Sequence, residues 1–281
     1  MDVRLIGAAI DKCAGISGAA GTPEMLNKML SDSLQISQIL TYADRRNNIL
    51  LLKDYFTNLA NAVKDTLEEL KVPLIIGGDH SCAIGTWSGV SEFLYNRNQS
   101  LGLIWIDAHM DSHTLQTSHS GNIHGMPLAV LLGYGIDEFV KILNATPKLR
   151  PENVVLIGIR SYEPEEALLL DKLGVKIYYN YDISDLGIAK VFNDAWHVLS
   201  AKVDKIGLSI DVDGFDPKFT PGVGTIVTDG IDFNQFIDVY NKIDANKLIA
   251  VEIAEANPSL DEQNKTLNCV VDIVKATQKL G

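Results

Sequence analysis

The stretch Leu101-Gly102-Leu103-Ile104-Trp105-Ile106-Asp107-Ala108-His109-Met110-Asp111-Ser112-His113 decides how the chain is read. A mostly apolar run is followed by Asp107, His109 and Asp111 at alternate positions, and an extended backbone would aim these three side chains the same way. Two carboxylates and an imidazole at the end of a buried strand are costly to desolvate without a partner. A divalent cation would be that partner. On this stretch alone, a solvated polar loop after a core strand reads the same.

Outward from this run, short Val-, Ile- and Leu-rich segments recur with longer helical segments between them. That is the pattern of parallel strands covered on both faces by crossover helices. Strands are predicted at Val3–Ile10, Leu74–Ile76, Leu101–Ile106, Val154–Ile159, Val175–Tyr179, Ile206–Ile210 and Leu248–Ile253. The spacing of Phe56, Leu59, Ala60, Val63, Leu67 and Leu70 predicts a helix over Lys53–Leu70. Asp232 with Gln235 resembles a capping box before Phe233, Phe236, Ile237 and Tyr240, and a C-terminal helix is expected from Asp261. Pro164 followed by two glutamates suits a helix running to Leu173 and ended by Gly174. Cys13–Pro23 and Ser112–Asn122 read as loops. With no repeat and no linker, the simplest reading is one α/β domain over residues 1–281, three layers around a central parallel sheet.

A chain of 281 residues that is 46% hydrophobic can bury one large core, and 21% charged residues argue against disorder. The net charge of −12 disfavours a nucleic-acid surface and is compatible with a cationic substrate. Cys13, Cys82 and Cys269 are far apart and form no Cys-x-x-Cys pair, which fits a reducing interior. The start carries no basic, apolar leader, and no run approaches the ~18 residues needed to span a bilayer. A cytoplasmic chain without a membrane partner is expected.

Polar clusters follow three of the predicted strands: Gly77-Gly78-Asp79-His80, then Asp107, His109 and Asp111, then Asp211-Val212-Asp213. Ligands bind at this carboxyl edge of open parallel sheets, because the loops there form the crevice. Each cluster alone reads as a tight turn or a polar core residue; three at one edge point to a site. His80, Asp107, His109, Asp111, Asp211 and Asp213 hold too many carboxylates for a structural Zn²⁺ site. Their four aspartates would balance two divalent cations, and the oxygen-rich set with two imidazoles favours Mn²⁺ over Mg²⁺ or Zn²⁺. Two such ions roughly 3.5–4 Å apart can share a water and lower its pKa, which points to hydrolysis.

These residues also carry a resemblance. Gly77-Gly78-Asp79-His80, Asp107-Ala108-His109-Met110-Asp111, Gly121-Asn122-Ile123-His124-Gly125 and Ser209-Ile210-Asp211-Val212-Asp213-Gly214-Phe215-Asp216-Pro217 resemble, in order, the motifs of the ureohydrolases. That family comprises arginases, agmatinases and formimidoylglutamases, and the Gly-Asn-x-His-Gly form looks more like an arginase. The resemblance implies an arginase-like fold, two Mn²⁺ per subunit and homo-oligomers, trimers or hexamers. It implies His80, Asp107, Asp111 and Asp211 around one ion, and Asp107, His109, Asp211 and Asp213 around the other. A hydroxide bridging the ions would attack the guanidinium carbon, and the tetrahedral intermediate would collapse to urea and an amine.

By the same analogy Asp111 also hydrogen-bonds the hydroxide, and His124 shuttles protons to the leaving amine. Glu255, in Glu-Ala-Asn-Pro, holds the guanidinium through charge-assisted bonds, and Thr225 lines the same pocket. Asn122 belongs to the matching motif, Ser120 contacts the substrate α-carboxylate, and Glu166 lies near the α-amine. His113 stands where arginases have Asn, and Glu163 where they have Asp. L-arginine hydrolysis to L-ornithine and urea is therefore the expected reaction. Agmatinase, guanidinobutyrase or formimidoylglutamase activity is the alternative. A one-zinc deacetylase of related fold and an inactive metal-stabilised scaffold are further readings.

Overall fold

The structure is a computed structural model that describes residues 1–31, 34–44, 48–144 and 147–280. Eight strands are present among them: β1 (Val3–Ala9), β2 (Gln38–Thr41), β3 (Val72–Gly77), β4 (Leu101–Ile106), β5 (Val154–Ile159), β6 (Lys176–Tyr179), β7 (Lys205–Asp211) and β8 (Leu248–Ala254). They form one sheet in the order β2-β1-β3-β8-β7-β4-β5-β6, with every pair parallel. The seven predicted strands all form. The sequence reading misses β2, a four-residue edge strand whose residues are all exposed or half-buried, so no apolar run marks it.

Every residue of β4 is buried because both faces of the sheet are covered. Ile104 and Ile106 join one apolar core with helices Thr22–Met29, Ile188–Ser200, Phe233–Tyr240 and Lys265–Lys279. Leu103 and Trp105 join the other, with helices Ile49–Glu68, Ala83–Tyr95, Pro127–Leu131 and Pro164–Leu173. The contact between sheet and helix is close. A Cβ at Gly207 on β7 would collide with the ring of Trp87.

Local signals explain where the helices start and stop. The expected helix from Lys53 begins a turn earlier, at Ile49, because the Asn48 side chain accepts from Leu50 N and Leu51 N. It ends before Leu70, which has φ +60°. Asp232 accepts from Asn234 N and Gln235 N and caps Phe233–Tyr240. The C-terminal helix begins at Lys265 instead of Asp261, whose carboxylate accepts from Thr266 N and Leu267 N from outside the helix. Pro164–Leu173 forms as expected and ends at Gly174 with φ +71°.

Strands β3, β8, β7, β4 and β5 are consecutive neighbours. Their carboxyl ends carry His80, Glu255, Asp211 and Asp213, Asp107, and Glu163 in that order across the sheet. The topology therefore gathers residues that are up to 175 positions apart in the chain.

Candidate metal centre

At the end of β4, Asp107 N still donates to Ile157 O (3.1 Å), and the chain then turns sharply. His109 N donates to Asp107 Oδ1 at 2.7 Å, and Asp111 takes a left-handed φ of +49°. The three side chains do meet, but through this turn and not by strand alternation. An aspartate can adopt such a φ, although the conformation is uncommon for any residue with a Cβ. Just past β3, Gly78 brings the chain against the carbonyl of Ile10, where a Cβ would collide. The turn His80–Cys82 follows, capped by Asp79 through Ser81 N. In the turn after β7, Asp213 N donates to Asp211 Oδ1 at 2.8 Å.

These turns produce two groups that share one residue. His80 Nδ1 lies 3.2 Å from Asp107 Oδ2, 3.1 Å from Asp111 Oδ2 and 3.1 Å from Asp211 Oδ2. His109 Nδ1 lies 3.4 Å from Asp107 Oδ1 and 3.1 Å from Asp213 Oδ2. Asp107 thus turns one oxygen to each group.

The donor set fits cations. His80 Nε2 is 3.0 Å from Ser209 Oγ, and Ser209 donates its own proton to Glu252 Oε1 at 3.0 Å. Ser209 then accepts from His80 Nε2–H, so that in the neutral ring the lone pair is on Nδ1. That buried Nδ1 has no hydrogen bond of acceptable geometry, yet it faces three carboxylates. Burial opposes a charged His80, but those carboxylates hold its pKa well above the ordinary value. Burial and the neighbouring Asp107 push Asp111 up to about 6, and burial with Asp213 and Asp107 pushes Asp211 well up. Buried carboxylates that resist one another's charge in this way are stabilised by a shared cation.

Trp105 completes the support. Its Nε1 donates to Asp107 Oδ2 at 2.9 Å, and its ring stacks on His80 with centroids 4.3 Å apart.

A cavity of about 290 Å³ opens beside the two groups. Its buried end is formed by Asp111, Asp211, Asp213 and Glu255 with His124, and Thr225 lies on its wall. His113, Ser118, Ser120, Glu163 and Glu166 form the outer end. Glu255, at φ +65°, accepts on Oε1 from both His80 N (2.8 Å) and His124 Nδ1 (3.0 Å). Burial disfavours charge on His124, but the Glu255 carboxylate outweighs it and raises the pKa to about 9.

At the outer end His113 Nε2 lies 3.0 Å from Glu163 Oε2 and 3.4 Å from Glu166 Oε2, with Nδ1 3.1 Å from Thr117 Oγ1. Both glutamates also build the start of helix Pro164–Leu173. Glu163 is its N-cap, and Glu166 Oε2 accepts from Glu163 N at 3.1 Å. Burial pushes Glu166 up to about 8. Ser120 is exposed and accepts from Asn122 N. Of the expected metal ligands, His80 and Asp107 do not line the cavity; of the expected catalytic and substrate-binding residues, Asn122 does not, since it begins the turn Ile123–Gly125 with Nδ2 toward Gly15. Trp105, Ser209 and Glu252 escape the sequence reading as functional side chains. The only sequence signal for the first two is their place inside the quoted motifs.

The chain is similar to known proteins over almost its whole length. The family model described as the Arginase family matches residues 1–278. Over 219 residues the chain is 45% identical to the arginase of Bacillus subtilis (strain 168), covering 78% of this chain and 72% of that one. A crystal structure of Bacillus subtilis arginase superposes with a TM-score of 0.89 at 36% identity, covering 99% of both chains. Entamoeba histolytica arginase, solved in complex with L-ornithine, superposes with a TM-score of 0.87 at 25% identity, covering 99% of this chain and 98% of that one. With paired histidine–aspartate groups at the carboxyl edge of an all-parallel sheet and this extent of likeness, the chain belongs to the Arginase family, whose members are hydrolases acting on the guanidino carbon–nitrogen bond.

Proposed function

We propose that this chain hydrolyses L-arginine to L-ornithine and urea in a site that holds two Mn²⁺ ions. The observation that carries the reading is Asp107, one oxygen toward His80 and the other toward His109. His80, Asp107, Asp111 and Asp211 would hold one ion, and Asp107, His109, Asp211 and Asp213 the other. Such a pair, when bound, lowers the pKa of a shared water and supplies a hydroxide nucleophile at neutral pH.

The chain's own residues do the rest. Glu255 Oε1 is engaged by His80 N and His124, so Oε2, near Gly224, is the oxygen offered to a guanidinium. With Nδ1 held by Glu255, His124 carries its mobile proton on Nε2 and gives it to the leaving amine. Asp111 steers the nucleophile, and Thr225 shapes the wall. At the outer end Glu163 and Glu166 receive an α-ammonium, while Ser120 and the His113 imidazole receive an α-carboxylate and Asn122 steadies Ser120. The ornithine complex of the Entamoeba relative supports an amino-acid product. A cytoplasmic homo-oligomer, trimer or hexamer, completes the reading. Among the described residues no helix is long and apolar enough to cross a membrane.

The His113–Glu163 pair keeps a second reading in play, because it occupies the end where the substrate's tail must dock. Another ureohydrolase substrate, such as agmatine, guanidinobutyrate or formimidoylglutamate, would then fit better. The test is product release by Mn²⁺-loaded protein from all four compounds, urea for the first three and formamide for formimidoylglutamate. Arginine is expected to turn over fastest. Turnover of agmatine with none of arginine would overturn the arginine assignment and leave the family intact.

A further inference from the structure

Arg160 follows β5 and belongs to neither metal group nor the cavity wall, yet it touches the backbone of both arms of the second group. Its own N donates to Ala108 O at 2.9 Å, between Asp107 and His109. Its guanidinium reaches six carbonyl oxygens: Asp213 (2.8 Å), Gly214 (3.1 Å), Phe215 (3.4 Å), Gly158 (3.2 Å), Val227 (2.9 Å) and Thr228 (2.9 Å). A guanidinium has five N–H donors in a rigid plane, so every donor is engaged and one is shared. The acceptors come from three separate segments: the end of β5, the turn after β7, and the loop after Thr225.

The tie has a directional effect on the aspartate. Asp213 Oδ1 accepts from Ala108 N at 3.2 Å, and this sets Oδ2 3.1 Å from His109 Nδ1. Both ends of that arrangement, the Ala108 peptide and the Asp213 carbonyl, are held by Arg160. The His80 group depends on other contacts, through Ser209, Glu252 and Trp105. Arg160 reaches none of these.

We propose that Arg160 is a positioning residue for the second metal group, fixing the Asp107-Ala108-His109 turn against the Asp213 turn so that the ion between them binds tightly. The inference rests on the two-ion reading above. Lysine at this position keeps the charge but has three donors on a flexible stem, and cannot span the same carbonyls.

The experiment is a Mn²⁺ titration of chelator-stripped protein, followed by electron paramagnetic resonance, for wild type, Arg160→Lys and Arg160→Gln. Wild type is expected to take up two ions. Each variant should keep one ion within about twofold and bind the other about 10–100-fold less well, the range typical of lost outer contacts to a metal site. At saturating Mn²⁺ both should regain kcat with an unchanged KM for arginine. Wild-type affinity for both ions in the variants, or an equal loss of both, would overturn the inference. So would failure of both variants to fold, since Arg160 would then hold the whole chain. Uptake of fewer than two ions by wild type would sink the two-ion reading itself, before any variant is compared.

Discussion

His124 Nδ1 and Glu255 Oε1 lie 3.0 Å apart, a contact between two loops 131 residues apart in sequence. Each reaches the other from a turn whose backbone is fixed elsewhere, His124 through Cys13 O and Glu255 through Gly78 O. The pair is therefore preformed, and its charge state should be readable in the stability of the metal-free protein. The His124 pKa is raised from the ordinary 6.5 to about 9. The stabilisation this represents is complete below about pH 6.5 and is lost as pH rises through about 9. Urea unfolding of chelator-treated protein should show wild type losing up to about 3 kcal/mol relative to His124→Asn across that window. A difference independent of pH would contradict the pairing.

Metal removal should cost stability for the reason that metal binding is expected at all. Asp107, Asp111, Asp211 and Asp213 are buried within reach of one another and of His80 and His109. At a thousandfold excess over its dissociation constant a ligand stabilises by about 4 kcal/mol, so Mn²⁺ should raise Tm by about 10 °C over chelated protein. Scanning calorimetry with Mg²⁺, Zn²⁺ and Mn²⁺ in parallel checks the size and the preference. An unchanged Tm with every ion would refute a cation site.

At the outer end, Glu163→Gln keeps the N-cap acceptor but removes the negative charge. Substrates bearing an ammonium there, arginine and agmatine, should show KM raised about tenfold, equivalent to about 1.4 kcal/mol. Guanidinobutyrate lacks that ammonium and should be unaffected. Equal changes for all three would place Glu163 outside substrate recognition.

The sheet offers a test remote from the chemistry. Gly207→Ala puts a methyl group into the Trp87 ring and should cost about 2 kcal/mol in unfolding free energy. Adding Trp87→Leu should recover part of that loss, as expected for residues in contact. Strictly additive costs in the double variant would mean that the two do not meet.

Much of this was legible in the sequence because a parallel strand buried on both faces is an uninterrupted apolar run. Polar residues at the end of such a run stand out, as Asp107, Asp211 and His80 do. Less legible features depend on partners that side-chain pattern does not encode. Strand β2 has half-exposed residues and too few of them. The left-handed turns at Asp111 and Glu255 depend on backbone geometry that their residue types only permit. Arg160 reads as an ordinary cation after a strand, because all its acceptors are main-chain carbonyls. Glu163 and Glu166 read equally as helix-starting residues and as site residues, and in the structure their positions serve the helix start while facing the cavity.

Trp105 stacks on one imidazole of the site while its indole N–H holds the aspartate shared by both groups. The chain thus has a fluorophore in contact with two of the side chains that would hold a paramagnetic ion. Mn²⁺ quenches indole emission at such range, so filling the site should dim the protein's intrinsic ultraviolet fluorescence stoichiometrically. Most of that quenching should vanish in Trp105→Phe, although Trp87 and Trp196 remain. Such a response would make the indole an optical gauge of metal content that needs no added label.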